Sequence, residues 1–99
     1  MNLIEFNRQK IASLCKIHKV NRLFVFGSVL TPRFNSESDV DLVVDFKDVP
    51  LENYVDNYFS FKSALSDLLN RDIDLLEDGG IKNRMLRANI DRTKRLIYG

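Results

Sequence analysis

Phe24-Val25-Phe26-Gly27-Ser28, followed after ten residues by Asp39-Val40-Asp41-Leu42-Val43-Val44, is the stretch on which the fold turns. Each apolar run bounded by a turn signal predicts a buried strand. Side chains alternate along a strand, so Asp39 and Asp41 share a face and Val40 points away. At about 3.3 Å per residue their Cα atoms lie roughly 6.6 Å apart. Two full charges at that distance repel by roughly 2.5 kcal/mol at an effective dielectric of about 20. Solvation alone can meet that cost, because Asp-X-Asp is common at strand entrances. A bound cation meets it as well. Hard carboxylate oxygens suit Mg²⁺, which takes one or two carboxylates together with substrate phosphates.

The 99 residues predict a single domain, 1–99, of ordinary small size. With 44% hydrophobic residues, seven Phe and three Tyr, the chain can build a core and does not read as disordered. A net charge of +1 and a pI near 7.9 argue against direct binding of nucleic acid. Cys15 is the one cysteine, which excludes an internal disulfide and fits a reducing cytoplasm. No apolar run approaches the ~20 residues of a membrane span. Glu5, Asn7, Arg8 and Gln9 stand where a signal peptide needs an apolar core. A soluble cytoplasmic protein is expected.

Asn2 and Glu5 predict an N-cap and its capping-box partner. Ile4, Ile11, Leu14, Cys15 and His18 then follow helical spacing, giving one amphipathic helix to about Lys19. Lys16 and Lys19 fall in its last turn, where the helix dipole favours cations. Cys15 lies on the apolar stripe and predicts a buried, inert thiol. His18, the only histidine, predicts packing at the helix end. Arg22 to Phe26 is the first strand, and its unbroken Leu23-Phe24-Val25-Phe26 run implies burial on both faces, as in a central strand. Gly27 permits an unusual dihedral or close backbone approach. Ser28 adds a hydroxyl and an N–H that a phosphate could use, although an ordinary strand-ending turn explains the pair equally well.

A short helical turn and a mobile loop are expected over 29–38, from Pro32 and the polar Asn35-Ser36-Glu37-Ser38. Asp39 to Phe46 is the second strand, with Val40, Leu42, Val44 and Phe46 toward the core and Asp39, Asp41, Val43 and Asp45 opposite. Asp45 is expected to be solvated or peripheral. Asp48 and Pro50 open a second helix. Its stripe runs through Leu51, Tyr54, Val55, Tyr58, Phe61, Leu65, Leu68 and Leu69, and Asn70 serves as a left-handed cap. Asp72 to Leu76 is the third strand, with Asp72 paired to Arg71 at the surface. Ile81 to about Asp91 makes a last helix with Ile81, Met85 and Ala88 as apolar contacts, joined in part by Leu86 and Ile90. Leu96-Ile97-Tyr98 adds a short terminal strand. The tail is basic, with Lys82, Arg84, Arg87, Arg92, Lys94 and Arg95 against Asp91. A solvated helix face is the plain explanation; binding of an acidic partner or a triphosphate is the functional one.

Strand, Gly-Ser, ten residues, Asp-X-Asp, strand closely resembles the signature of nucleotidyltransferases of the DNA polymerase beta superfamily, above all the minimal stand-alone members. The resemblance spans nearly the whole chain. It implies an α/β (α+β) nucleotidyltransferase fold, a mixed sheet with helices packed on one face and the aspartates on the other, open face. It also implies a third carboxylate within the hydrophobic-Asp-Leu pattern that Ile73-Asp74-Leu75 matches. Asp39, Asp41 and Asp74 are then the catalytic and Mg²⁺-binding residues, while Gly27 and Ser28 hold the triphosphate of ATP. Small members often follow Gly-Ser with Arg-Ala-Arg-Gly; here Val29-Leu30-Thr31-Pro32 stands instead, so Arg33 or the basic tail would have to supply the missing charge. Many minimal members resemble the antitoxin of a pair whose partner is a helical HEPN toxin. That setting implies transfer of AMP from ATP to a tyrosine hydroxyl of the toxin. The alternative is a non-catalytic subunit that binds a nucleotide or occludes its partner. Transfer to RNA ends is a third possibility, disfavoured by the near-neutral pI and small size.

Overall fold

The computed structural model describes residues 2–99, with side chains from Leu3 onward. The elements are α1 (Asn2–Phe6), α2 (Arg8–Ile17), β1 (Val20–Phe26), β2 (Val40–Phe46), α3 (Leu51–Leu69), β3 (Ile73–Glu77), α4 (Arg84–Thr93) and β4 (Arg95–Tyr98). Short 3₁₀ turns follow β1 at Gly27–Leu30 and β3 at Asp78–Gly80. The four strands form one mixed sheet in the order β3-β2-β1-β4. β1 runs antiparallel to both β2 and β4, and β2 is parallel to β3. Parallel neighbours need a long crossover, and α3 provides it. The two strands of the opening motif are therefore the central pair, as the unbroken apolar run of β1 requires.

Alternation in β2 buries Val40, Leu42 and Val44 on one face, beside Leu23 and Val25 of β1 and Ile73 and Leu75 of β3. Ile4, Ile11 and Cys15 from α1 and α2, and Phe61, Leu65 and Leu69 from α3, close over that face. Phe61 is fully buried and meets Phe46 edge-on at 6.0 Å between ring centroids. This is the helix-covered layer expected from the motif. Val43 is also fully buried, on the opposite face and outside the main cluster. So is Ile90 of α4. Lys94, just after α4, sits 4.3 Å above the Phe24 ring, and Phe24 is the cross-strand partner of Val43.

Several expectations from the sequence are corrected. The first helix is two helices broken at Asn7, whose side-chain amide donates to the Leu3 carbonyl at 2.9 Å. That bond takes the acceptor which the backbone N–H of residue 7 would use in a continuous helix, and the N–H bonds Ile4 instead. The Asn2 cap rests on a side chain outside the described ones, and Glu5 is paired with Arg8 at 2.7 Å. The helix ends at Ile17, so Lys19 lies beyond it, in left-handed backbone at φ +58°. Asp48 is likewise left-handed and does not cap α3; Pro50 occupies the cap position. Leu51 and Val55 are exposed, and the first turns of α3 meet the sheet through Tyr54, whose ring packs edge-on against Phe46 and whose hydroxyl donates to Glu77 at 2.7 Å. Of the apolar side chains on α4 only Ile90 is buried, while Met85, Leu86 and Ala88 are exposed.

Other features stand as expected. Asn70 ends α3 at φ +53° and ψ +45°. Cys15 is fully buried, and burial pushes its thiol up to about 12, so it is inert at neutral pH. His18 is buried, with Nδ1 donating to the Leu14 carbonyl at 2.7 Å and Nε2 3.1 Å from the Ser60 hydroxyl. Both ring nitrogens are engaged in packing. No helix among the described residues is long and apolar enough to cross a membrane.

Candidate active site

The site is built where the C-terminal end of β1 meets the N-terminal ends of β2 and β3. Gly27 has φ +78°, a conformation that costs a residue with a Cβ roughly 1–2 kcal/mol. Space requires glycine as well, since a Cβ there would fall 2.2 Å from Asp41 Oδ2. The turn can thus close directly onto the Asp41 carboxylate. Its next amide, the N–H of Ser28, donates to Asp41. This N–H, read from the sequence as a phosphate donor, faces the Asp41 carboxylate. Thr31 fixes the turn by donating both its N–H, at 2.9 Å, and its hydroxyl, at 2.8 Å, to the Ser28 carbonyl.

Asp41 and Asp74 are partners in the parallel register of β2 and β3. Side chains at such positions stand on the same face of strands about 4.8 Å apart. Asp39, just before β2, shares that face by alternation. Asp39 and Asp74 are exposed and Asp41 is half-buried. Burial pushes the Asp41 carboxyl above the ordinary carboxylate range, and the charges of Asp74 and Asp39 push it the same way against the Ser28 amide. The three aspartates read from the sequence are thus one electrostatic cluster. Among the described residues, no group of three or more His, Cys, Asp or Glu side chains is arranged to hold a metal by itself. Asp45 lies apart, accepting from Asn21 Nδ2 at 2.9 Å with Arg22 3.8 Å away.

One feature escaped the sequence, and a second was named there without its place in the fold. Arg71 does not pair with Asp72; its Nη1 donates to the carbonyls of Asn35 at 2.7 Å and Ser38 at 3.1 Å, and its guanidinium lies 4.5 Å over the Phe34 ring. It pins the loop that delivers Asp39, and nothing local in the sequence signals it. The second is the basic tail. Antiparallel pairing of Val25 with Arg95 carries the preceding residues alongside Phe26 and Gly27. A cavity of about 670 Å³ opens there, with Gly27, Leu30 and Thr31 facing Arg92, Lys94 and Arg95. Val29, which follows Ser28, is buried in the core.

A mixed four-stranded sheet carrying an acidic cluster against a Gly-Ser turn defines a nucleotidyltransferase-type domain. Residues 9–99 match the family model for polymerase beta nucleotidyltransferases, and the chain belongs to that family. It is 35% identical to a protein of Methanocaldococcus jannaschii named "Putative protein adenylyltransferase", over 82% of this chain and 78% of that protein. A structure described as a putative minimal nucleotidyltransferase superposes with a TM-score of 0.75 at 29% identity, covering 93% of this chain and 90% of the other. A chain from the complex of tri-AMPylated Shewanella oneidensis HEPN toxin with MNT antitoxin shares the fold, with a TM-score of 0.66 at 20% identity and coverage of 96% and 71%.

Proposed function

We propose that the protein transfers AMP from ATP to a hydroxyl of a helical HEPN-type partner, a tyrosine by our reading, and so acts as its antitoxin. The observation that carries this is the convergence of Asp39, Asp41 and Asp74, from the starts of two parallel strands, at the Gly27-Ser28 turn. The adenylyltransferase name of the curated relative supports the choice of nucleotide. The fold shared with a chain of a HEPN–antitoxin complex suggests the partner.

In the reaction the acceptor oxygen bonds to the α-phosphorus of ATP. The bond from that phosphorus to the bridging oxygen breaks, and pyrophosphate leaves with the electron pair. Asp74, exposed beside Asp41, is the residue that by our reading faces the acceptor and takes its hydroxyl proton. Asp39 and Asp41 are the residues that would hold Mg²⁺, with Asp74 beside them. The fit rests on a half-buried carboxylate under like-charge repulsion, and on a metal that needs few protein ligands because substrate phosphates supply the others. When bound, the ion neutralises charge developing on the reacting phosphate. Gly27 keeps the wall beside Asp41 free of side chain, and Ser28 holds Asp41 in place while its hydroxyl is left for the triphosphate.

The test is incubation of the HEPN-type partner with ATP and Mg²⁺ and either wild type or Asp39→Ala/Asp41→Ala, read by mass spectrometry of the intact partner. Addition of AMP by the wild type alone is expected. A partner left unmodified by both proteins would sink the proposal. A non-catalytic antitoxin is the second reading, favoured by the absence of arginine from Val29-Leu30-Thr31-Pro32 and by the burial of Val29. It gains ground if the double variant still neutralises the partner in full.

A further inference from the structure

We propose that Arg92 and Arg95 form the binding site for the terminal phosphates of the nucleoside triphosphate, replacing the arginines absent after Gly27-Ser28. This deepens the nucleotidyl-transfer reading and rests on it. Gly27 belongs to both sites. One side of it abuts Asp41, as the position of its missing Cβ shows, and it also lines the 670 Å³ cavity that Arg92, Lys94 and Arg95 border. A nucleotide with its α-phosphate at the carboxylate cluster can extend its tail past Gly27 into that cavity. The tail carries several negative charges, and the cavity holds their complement.

The cations there differ in their freedom. Lys94 is bound to Asp91 at 2.9 Å and stacked on Phe24, so its charge is already answered. Arg92 donates from Nη2 to the neutral Asn89 side chain at 2.9 Å and has no acidic partner among the described residues. Arg95 is exposed and makes no side-chain hydrogen bond or ion pair among them. Two guanidinium groups, with nine of their ten N–H donors uncommitted, are thus available to phosphate oxygens, for which their forked geometry is suited. The hydroxyl of Thr31 across the cavity is spent on the Ser28 carbonyl and that of Thr93 on the Asn89 carbonyl. The arginines are therefore its principal free donors. Arg33, the other replacement open from the sequence, does not line the cavity.

The sequence offers the basic tail and Arg33 as replacements without placing either, and topology is the reason. The tail lies more than sixty residues from the Gly-Ser turn in the chain and meets it only through the pairing of β4 with β1. The experiment is calorimetric titration of inorganic tripolyphosphate, without divalent cation, into wild type, Arg92→Gln/Arg95→Gln, Arg33→Gln and Asp39→Asn/Asp41→Asn. Wild type and Arg33→Gln should bind alike, and the aspartate variant at least as tightly. Arg92→Gln/Arg95→Gln should bind at least about tenfold more weakly, equivalent to about 1.4 kcal/mol. Both arginines are surface residues, and a matching thermal melt shows that the variant is folded. Equal binding by wild type and the arginine variant, a loss confined to Arg33→Gln, or no binding by either wild type or the aspartate variant overturns the proposal. Parallel titration with ATP and Mg²⁺ separates the two ideas. ATP binding that ignores both Mg²⁺ and the aspartate substitutions counts against the transferase, while the tripolyphosphate result still judges the arginines.

Discussion

Asp41 and Gly27 are two halves of one contact, and each substitution has its own signature. Gly27→Ala forces a Cβ into left-handed backbone and onto the Asp41 carboxylate. It should cost at least about 1–2 kcal/mol from the backbone alone and displace Asp41, so that stability and nucleotide binding fall together. Urea unfolding and ATP titration of the same preparation check this. Asp41→Asn should do the opposite to stability. A carboxyl whose folded pKa lies above its unfolded value favours the fold at low pH, and that contribution is lost as pH rises through the folded pKa. Asp41 is such a group, through burial and its acidic neighbours. Asparagine can still accept from the Ser28 N–H but carries no charge. In EDTA at neutral pH the variant should melt above wild type, and the gap should close on acidification below Asp41's raised pKa. A variant that melts lower at pH 7 would show that Asp41 is not repelled.

At the scale of elements, α3 separates what a pattern can say from what packing decides. Its stripe from Leu51 to Leu69 has one period, yet only Phe61, Leu65 and Leu69 are fully inside. Phe61→Ala should cost about 3–5 kcal/mol, whereas Leu51→Ala, at a position 88% exposed, should stay within about 0.5 kcal/mol. Equal losses in chemical denaturation would mean that the early turns of α3 are packed. The sheet was legible for the same reason that this stripe was only partly so. Burial on one face of a strand follows from alternation, so Val40, Leu42 and Val44 could be placed from the sequence. Which positions of a helical stripe are covered depends on the elements packed beside it, and at the start of α3 Tyr54 makes the contact with β2 and β3 while Leu51 and Val55 do not. The break at Asn7 was hidden because one side-chain amide decides it. In the site, Asp39 and Asp41 were read from their spacing after Gly27-Ser28 and Asp74 from the family resemblance, and the pairing of β2 with β3 brings Asp41 and Asp74 side by side. The contacts of Arg71 could not be read, and the tail arginines could be named but not placed, since their positions follow from a loop conformation and from which strand β4 pairs with.

For the whole molecule, a small domain with an acidic cluster and a basic rim beside it should be stabilised by the ligand that joins them. Binding to the folded state alone contributes about 2.7 kcal/mol when the free ligand is at 100 times its Kd. For a domain of about 100 residues that corresponds to a rise in melting temperature on the order of 10–20 °C. The rise should be larger with ATP and Mg²⁺ together than the sum of the rises with each alone. Mg²⁺ alone meets the carboxylates without the phosphates that complete its shell, and ATP alone brings its charge against three aspartates. Differential scanning fluorimetry with each ligand separately and with both checks this. Asp39→Ala/Asp41→Ala should lose the synergy, and Arg92→Gln/Arg95→Gln should keep it but require more ATP. Equal shifts from ATP with and without Mg²⁺ would detach nucleotide binding from the aspartates, and the protein would then be a binder whose acidic cluster serves some other contact.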